Sequence, residues 1–163
     1  MKLSVLSVLA LCIGVASCQS SEKNPSEVRA EMLAMKPAID SVPQSGLGPQ
    51  DLAIGDCGLF LWSQTDVSKF IFFSRALSGT ATFAQGELPI VLTQTTAGGD
   101  IFGQFNTNAD YVAEDGRSLK LAVVPGEILD GGQRIERGLL TMTDRDGWET
   151  KLPVLGVRAC KQE

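Results

Sequence analysis

The chain has 163 residues, with 14 Lys and Arg against 19 Asp and Glu, a net charge of −5, four cysteines and no histidine. The acidic balance, with the basic residues scattered among carboxylates, excludes the basic stripe a polyanion needs, so no nucleic acid partner is expected. Without an imidazole, Ser-His-Asp and Cys-His nucleophiles and His-rich metal cages are excluded too, leaving carboxylate pairs or a Ser-Lys dyad, neither visible as a motif.

Residues 1–17 read as an export leader: a positive charge at Lys2, an apolar and small-residue run from Leu3 to Ile13, then small residues up to Cys18. The run is shorter than the roughly 20 apolar residues of a transmembrane helix. The polar stretch from Gln19 to Asn24 follows it with no stop-transfer pattern. Val15-Ala16-Ser17-Cys18 resembles the lipobox of bacterial lipoprotein precursors. The resemblance implies a thioether lipid on Cys18, cleavage before it and acylation of the new amino terminus, so that the membrane is a partner through that lipid. Gln19, where an Asp often marks inner-membrane retention, implies the outer membrane and a domain facing the periplasm. The competing reading is an ordinary secretory peptide cut near Ala16. Several acyl chains, at about 0.8 kcal/mol per buried methylene, hold durably where one holds only marginally. Losing Lys2 with the leader takes the net charge from −5 to −6.

On this reading Cys12 is discarded and Cys18 carries lipid, leaving Cys57 and Cys160 near the two ends of the folded region. They are expected to pair in an oxidising compartment, where closing a loop of about 100 residues contributes at most roughly 4 to 5 kcal/mol. The alternative is two unlinked small core residues. A metal site is disfavoured, since zinc normally takes four ligands.

Residues 18–53 read as a flexible tether with one short helix over 25–36. Asn24 is a good N-cap, Pro25 suits the first helical position and Glu27 completes a capping box. Val28, Met32, Met35 and Ile39 recur at helical spacing, and Pro37 ends the helix near Met35. The stretch from Ser41 to Pro49 is a connector rich in Gly, Pro and Ser.

Residues 54–163 read as one all-β domain, a small antiparallel barrel or a two-sheet sandwich. Strands are expected near 57–62, 68–75, 79–84, 87–95, 101–106, 110–113, 118–124, 133–143 and 148–159. Turns are expected at Gly98-Gly99-Asp100, Asp115-Gly116, Asp130-Gly131-Gly132 and Asp146-Gly147, where glycine supplies positive φ. Leu119, Leu121 and Val123 alternate with Ser118, Lys120 and Ala122, as in a strand with one wet face. Leu59-Phe60-Leu61-Trp62 and Phe70-Ile71-Phe72-Phe73 are apolar on both faces, which predicts a covered central strand or an exposed apolar surface. Ile135 has the opposite parity to Leu140 and Met142, so a bulge is expected near Arg137-Gly138. Pro153 belongs on an edge or at a bulge.

All seven Phe and Trp62 fall between Phe60 and Phe105. Trp62, Phe70 and Phe72 are candidate ligand contacts, with core packing as the competing role. Arg134 and Arg137 are candidates for an anionic partner, against a solvated face shared with Glu136. The stretch from Asp144 to Glu149 lacks the later ligands of a calcium loop and reads as a hairpin turn, so no metal is expected. No cofactor is expected either. The reading that results is a lipid-anchored β domain that binds an envelope protein or envelope component without catalysis. One rival is an inhibitor, by architectural likeness to the small disulfide-bearing barrels with which envelope lipoproteins block lysozyme. The other is a small carboxylate hydrolase using Asp100, Asp110, Glu114 and Asp115.

Overall fold

The computed structural model describes residues 46–162, apart from Ser68 and Glu87; the leader, Cys18 and the helix expected over 25–36 lie outside the described residues. Eight strands follow in chain order: β1 (Cys57–Ser63), β2 (Phe70–Arg75), β3 (Thr80–Gln85), β4 (Leu88–Phe102), β5 (Phe105–Ala113), β6 (Ser118–Leu129), β7 (Gly132–Thr143) and β8 (Glu149–Cys160). Each pairs antiparallel with the next, and β8 pairs back onto β1 from Cys57↔Cys160 to Ser63↔Val154, so the sheet closes into a barrel. Of the two architectures the sequence left open, the sandwich is excluded by this closing ladder.

Period-two patterning decides which side of each strand faces in. Leu59 and Leu61 of β1, Leu119, Leu121 and Val123 of β6, and Leu152 and Val154 of β8 are buried in one cluster. Their neighbours Lys120 and Lys151 are exposed. Where the pattern breaks, the ladder slips. In β7 the register passes from Ile135↔Gly156 directly to Gly138↔Val154, which lets Ile135, Leu140 and Met142 all point inward despite their opposite parity. A slip in the β1–β2 ladder likewise buries the successive residues Ile71 and Phe72 together.

One expected turn is a bulge instead. Gly98 and Gly99 lie inside β4, where the pairing with β5 jumps from Gly98↔Asn108 to Ile101↔Asn106. The chain reverses five residues later, at Gly103-Gln104, between the paired Phe102 and Phe105. Gly99 holds φ +75°, and a Cβ there would collide with the Thr107 hydroxyl, so glycine is required by the bulge rather than by a reversal. The strands expected at 101–106 and 110–113 are accordingly not separate elements, because 105–113 is continuous as β5. Pro153 lies one residue beyond the last β1–β8 pair, where Gln64 N–H donates to its carbonyl at 2.9 Å and no proline donor is needed.

Because the strands run up and down, the turns alternate between two ends. The turns at 76–79, 103–104 and 130–131 share an end with Cys57 and Cys160, and the loops at 64–69, 86–87, 114–117 and 144–148 form the other. The segment 46–56 runs beside β2 from one end to the other. It is held by Leu47 N–H donating to the Phe70 carbonyl at 2.6 Å and by Arg75 donating to the Asp51 carbonyl at 2.9 Å.

Candidate functional surface

An eight-stranded barrel has an interior that either fills with side chains or holds one small ligand. This one is filled: Phe72, Phe83, Leu59, Leu61, Ile71, Leu92, Leu119, Ile135, Leu140 and Val154 are all fully buried. Within it Tyr111 meets Phe72 edge-on at 5.6 Å between ring centroids. Burial pushes the Tyr111 hydroxyl above its ordinary value of 10.0, against a hydrogen bond with Ser74 that pulls it down. Ser74 in turn donates to the Thr80 carbonyl at 3.1 Å. The pocket beside them, bounded inside by Leu59, Ser74, Tyr111 and Phe105 and bordered outside by Leu77 and Gln104, is about 40 Å³, enough for a water and not for a metabolite.

Recognition therefore falls to the outer wall. Phe60 and Trp62 alternate with the inward Leu59 and Leu61, so both rings leave the barrel on its outside. They meet Phe70 and Phe73 of β2. The Phe60 ring lies 5.0 Å from that of Phe73 and 5.8 Å from that of Phe70, and Trp62 lies 5.0 Å from Phe70. Gly58 makes the close approach feasible, since a Cβ there would stand 2.8 Å from the Phe60 ring and 2.9 Å from that of Phe73. Across the β1–β8 ladder, Trp62 is opposite Leu155 and Phe60 opposite Val157, which extends the apolar wall. Next in line, Arg134 of β7 is paired with Val157. Together Trp62, Leu155, Val157 and Arg134 border a shallow depression of about 330 Å³.

Of the residues singled out by sequence, Trp62 and Phe70 lie together on this wall and Arg134 lies at its border. Phe72 does not: it packs inside, opposite Leu61 and Phe83. Arg137 lies elsewhere, beside a groove of about 530 Å³ over β5, β6 and β7 that also includes Asp100, Thr107 and Val124. Phe60 and Phe73 belong to the two runs that the sequence marks as apolar on both faces, Phe60 half-buried on the wall and Phe73 buried beneath it, whereas Leu155 and Val157 were missed. Their signal was parity, since each alternates with a residue that faces the core.

The four carboxylates do not converge. Asp110 accepts from the Thr96 hydroxyl at 2.8 Å on the outer wall, and Asp100 sits near the β4–β5 reversal. Glu114 and Asp115 occupy the β5–β6 turn at the opposite end. Asp115 accepts from Arg117 Nε at 2.7 Å and from Arg117 N–H at 3.1 Å, with Arg145 at 3.4 Å. Those hydrogen bonds from Arg117, with the two guanidinium charges, hold its carboxyl down at about 2. It is thus an ionised turn clasp rather than a proton donor. Among the described residues no group of three or more Cys, Asp or Glu is placed to hold a metal ion. Comparison with known proteins finds no matching family model, no similar curated protein and no similar solved structure.

Proposed function

We propose that the protein is a lipid-anchored, periplasm-facing binding domain that recognises an envelope protein or envelope component without catalysing a reaction. The observation that carries this reading is the outward aromatic cluster of Phe60, Trp62 and Phe70, each half-buried and backed by the buried Phe73, on a barrel whose interior is filled with side chains. Contiguous aromatic surface that is partly open to water favours association with another surface. The cystine between the first and last strands suits an oxidising compartment, and the lipobox-like leader gives the address. The segment 46–56 arrives beside Phe70, at the end remote from Cys57 and Cys160. A tether upstream of it would leave the cystine end free to project.

The test is photo-crosslinking in intact envelopes from a reactive residue placed at Trp62, compared with one at exposed Lys120 of β6, a strand outside the wall. Discrete adducts from position 62 that disappear in Phe70→Ser support the reading, and identical adducts from both positions contradict it. A second reading rests on analogy alone: small envelope lipoproteins that block lysozyme are also disulfide-bearing barrels, as this domain is. Titrating lysozyme with the purified protein decides it: unaltered turnover at excess protein removes inhibition.

A further inference from the structure

A fully closed barrel has no free strand edge, yet this one parts in two places. β2 and β3 are joined only from Phe72↔Phe83 to Ser74↔Ala81, although β2 begins at Phe70 and β3 runs on to Gln85. The molecule fills that parting with its own backbone. Leu47 N–H donates to the Phe70 carbonyl, Leu47 packs on the core, and Gly46 lies so close that a Cβ would stand 2.9 Å from the Phe70 oxygen.

The second parting separates β5 from β6. Their ladder stops at Asn108↔Ala122, while β5 stays paired with β4 down to Phe105 and β6 with β7 out to Leu129. Phe105, Asn106 and Thr107 on one side and Val123 to Leu129 on the other have no ladder partner across the seam. Thr107 also lies opposite the β4 bulge, so it pairs with neither neighbour. Pro125 occurs on the β6 side, where its missing donor costs least at an edge. The groove of about 530 Å³ lies here, with Ala122, Val124 and Leu139 as its apolar part. Asp100 comes from β4, beyond β5, and Arg137 from β7, beyond β6, so charges of opposite sign flank the parting. Neither is in an ion pair among the described residues.

We propose that this parting is a strand-addition site, which takes an extended segment of a partner polypeptide against β5. The segment exchanges backbone hydrogen bonds with Phe105 to Thr107 and lays alternate small apolar side chains over Val124 and Leu139. A cationic residue sits beside Asp100 and an anionic one beside Arg137. The site is separate from the aromatic wall on β1, β2 and β8, so the two proposals fail independently.

The test uses two peptides of roughly eight residues, slightly longer than an ordinary strand. Both alternate Val and Thr; one carries a central Arg and Glu two residues apart, because Asp100 and Arg137 flank the parting at nearly the same level, and the other carries Thr at both places. Each is titrated into the isotope-labelled full chain while backbone amide shifts are followed. The expected result is perturbation centred on Asn106, Thr107 and Val124, with the charged peptide preferred by about threefold, the scale of exposed ion pairs. The preference disappears in the double variant Asp100→Asn, Arg137→Gln, and N-methylation of alternate peptide residues weakens binding about tenfold. Trp62→Ser leaves the titration unchanged. Equal binding of methylated and unmethylated peptides, perturbation centred elsewhere, loss of binding in Trp62→Ser, or no binding at millimolar peptide would each overturn the proposal.

Discussion

Cys57 and Cys160 face each other as a directly paired couple across the seam that closes the barrel, with their Cα atoms 4.0 Å apart and 103 positions between them in sequence. The bridge therefore fastens the one ladder that local folding cannot supply, because β1 and β8 are the most distant strands in the chain. The double variant Cys57→Ser, Cys160→Ser is expected to keep the sheet and lose up to about 4 to 5 kcal/mol, the chain-entropy figure for a loop of about 100 residues. Urea unfolding with and without reductant measures the difference.

Gly156 sits opposite Leu61 in that same seam, and a Cβ added to it would run into the Phe60 carbonyl oxygen and meet Leu61 Cδ2 at 2.8 Å. Backbone cannot yield as a flexible side chain does. Gly156→Ala is predicted to cost about 1 to 3 kcal/mol, the usual range for overpacking. Gly147→Ala is the comparison: nothing lies near its Cβ, and its cost comes only from the positive φ of +86°. Thermal unfolding of the two variants separates steric from conformational cost.

The chain contains a single tyrosine, so phenolate absorbance reports Tyr111 alone. Its midpoint is expected above 10.0 in the folded protein and at the ordinary value after denaturation, because burial favours the neutral hydroxyl. The sign follows from linkage: stability from the neutral phenol is complete below the unfolded value and is lost as pH rises through the folded one. A midpoint at or below 10 would mean that Tyr111 is not enclosed.

Asp115 gives the opposite dependence. Its carboxyl is held at about 2 against an ordinary 3.8, so the Arg117 clasp stabilises the turn above the ordinary value, and the effect disappears as pH falls toward 2. Arg117→Ala should lower the thermal midpoint modestly at pH 7, and the gap to the parent should close on acidification. A gap that is constant with pH would assign the effect to the Arg117 hydrogen bond with Gln85 instead.

Much of the barrel was legible because alternation is a local signal. The inward set Leu119, Leu121 and Val123, the parity break between Ile135 and Leu140, and the apolar-on-both-faces run from Leu59 to Trp62 each correspond to a structural feature. Gly98-Gly99-Asp100 misled because a bulge and a hairpin make the same demand on glycine, positive φ, and only the cross-strand register tells them apart. Closure was not legible either, since it depends on pairing between residues about a hundred positions apart. The β1 and β2 part of the aromatic wall was legible in the runs apolar on both faces, whereas its extension through Leu155 and Val157 and the parting of β5 and β6 required the register of the neighbouring ladders.

Two sites in the native molecule decide whether the domain is lipid-anchored and disulfide-closed: the amino terminus and the Cys57–Cys160 pair. Intact mass spectrometry of protein isolated from the envelope tests both at once. The expected species is a chain beginning at an acylated Cys18, two mass units lighter than its fully reduced form. An unlipidated chain that still begins at Met1, with Cys57 and Cys160 both as free thiols, would contradict both assignments.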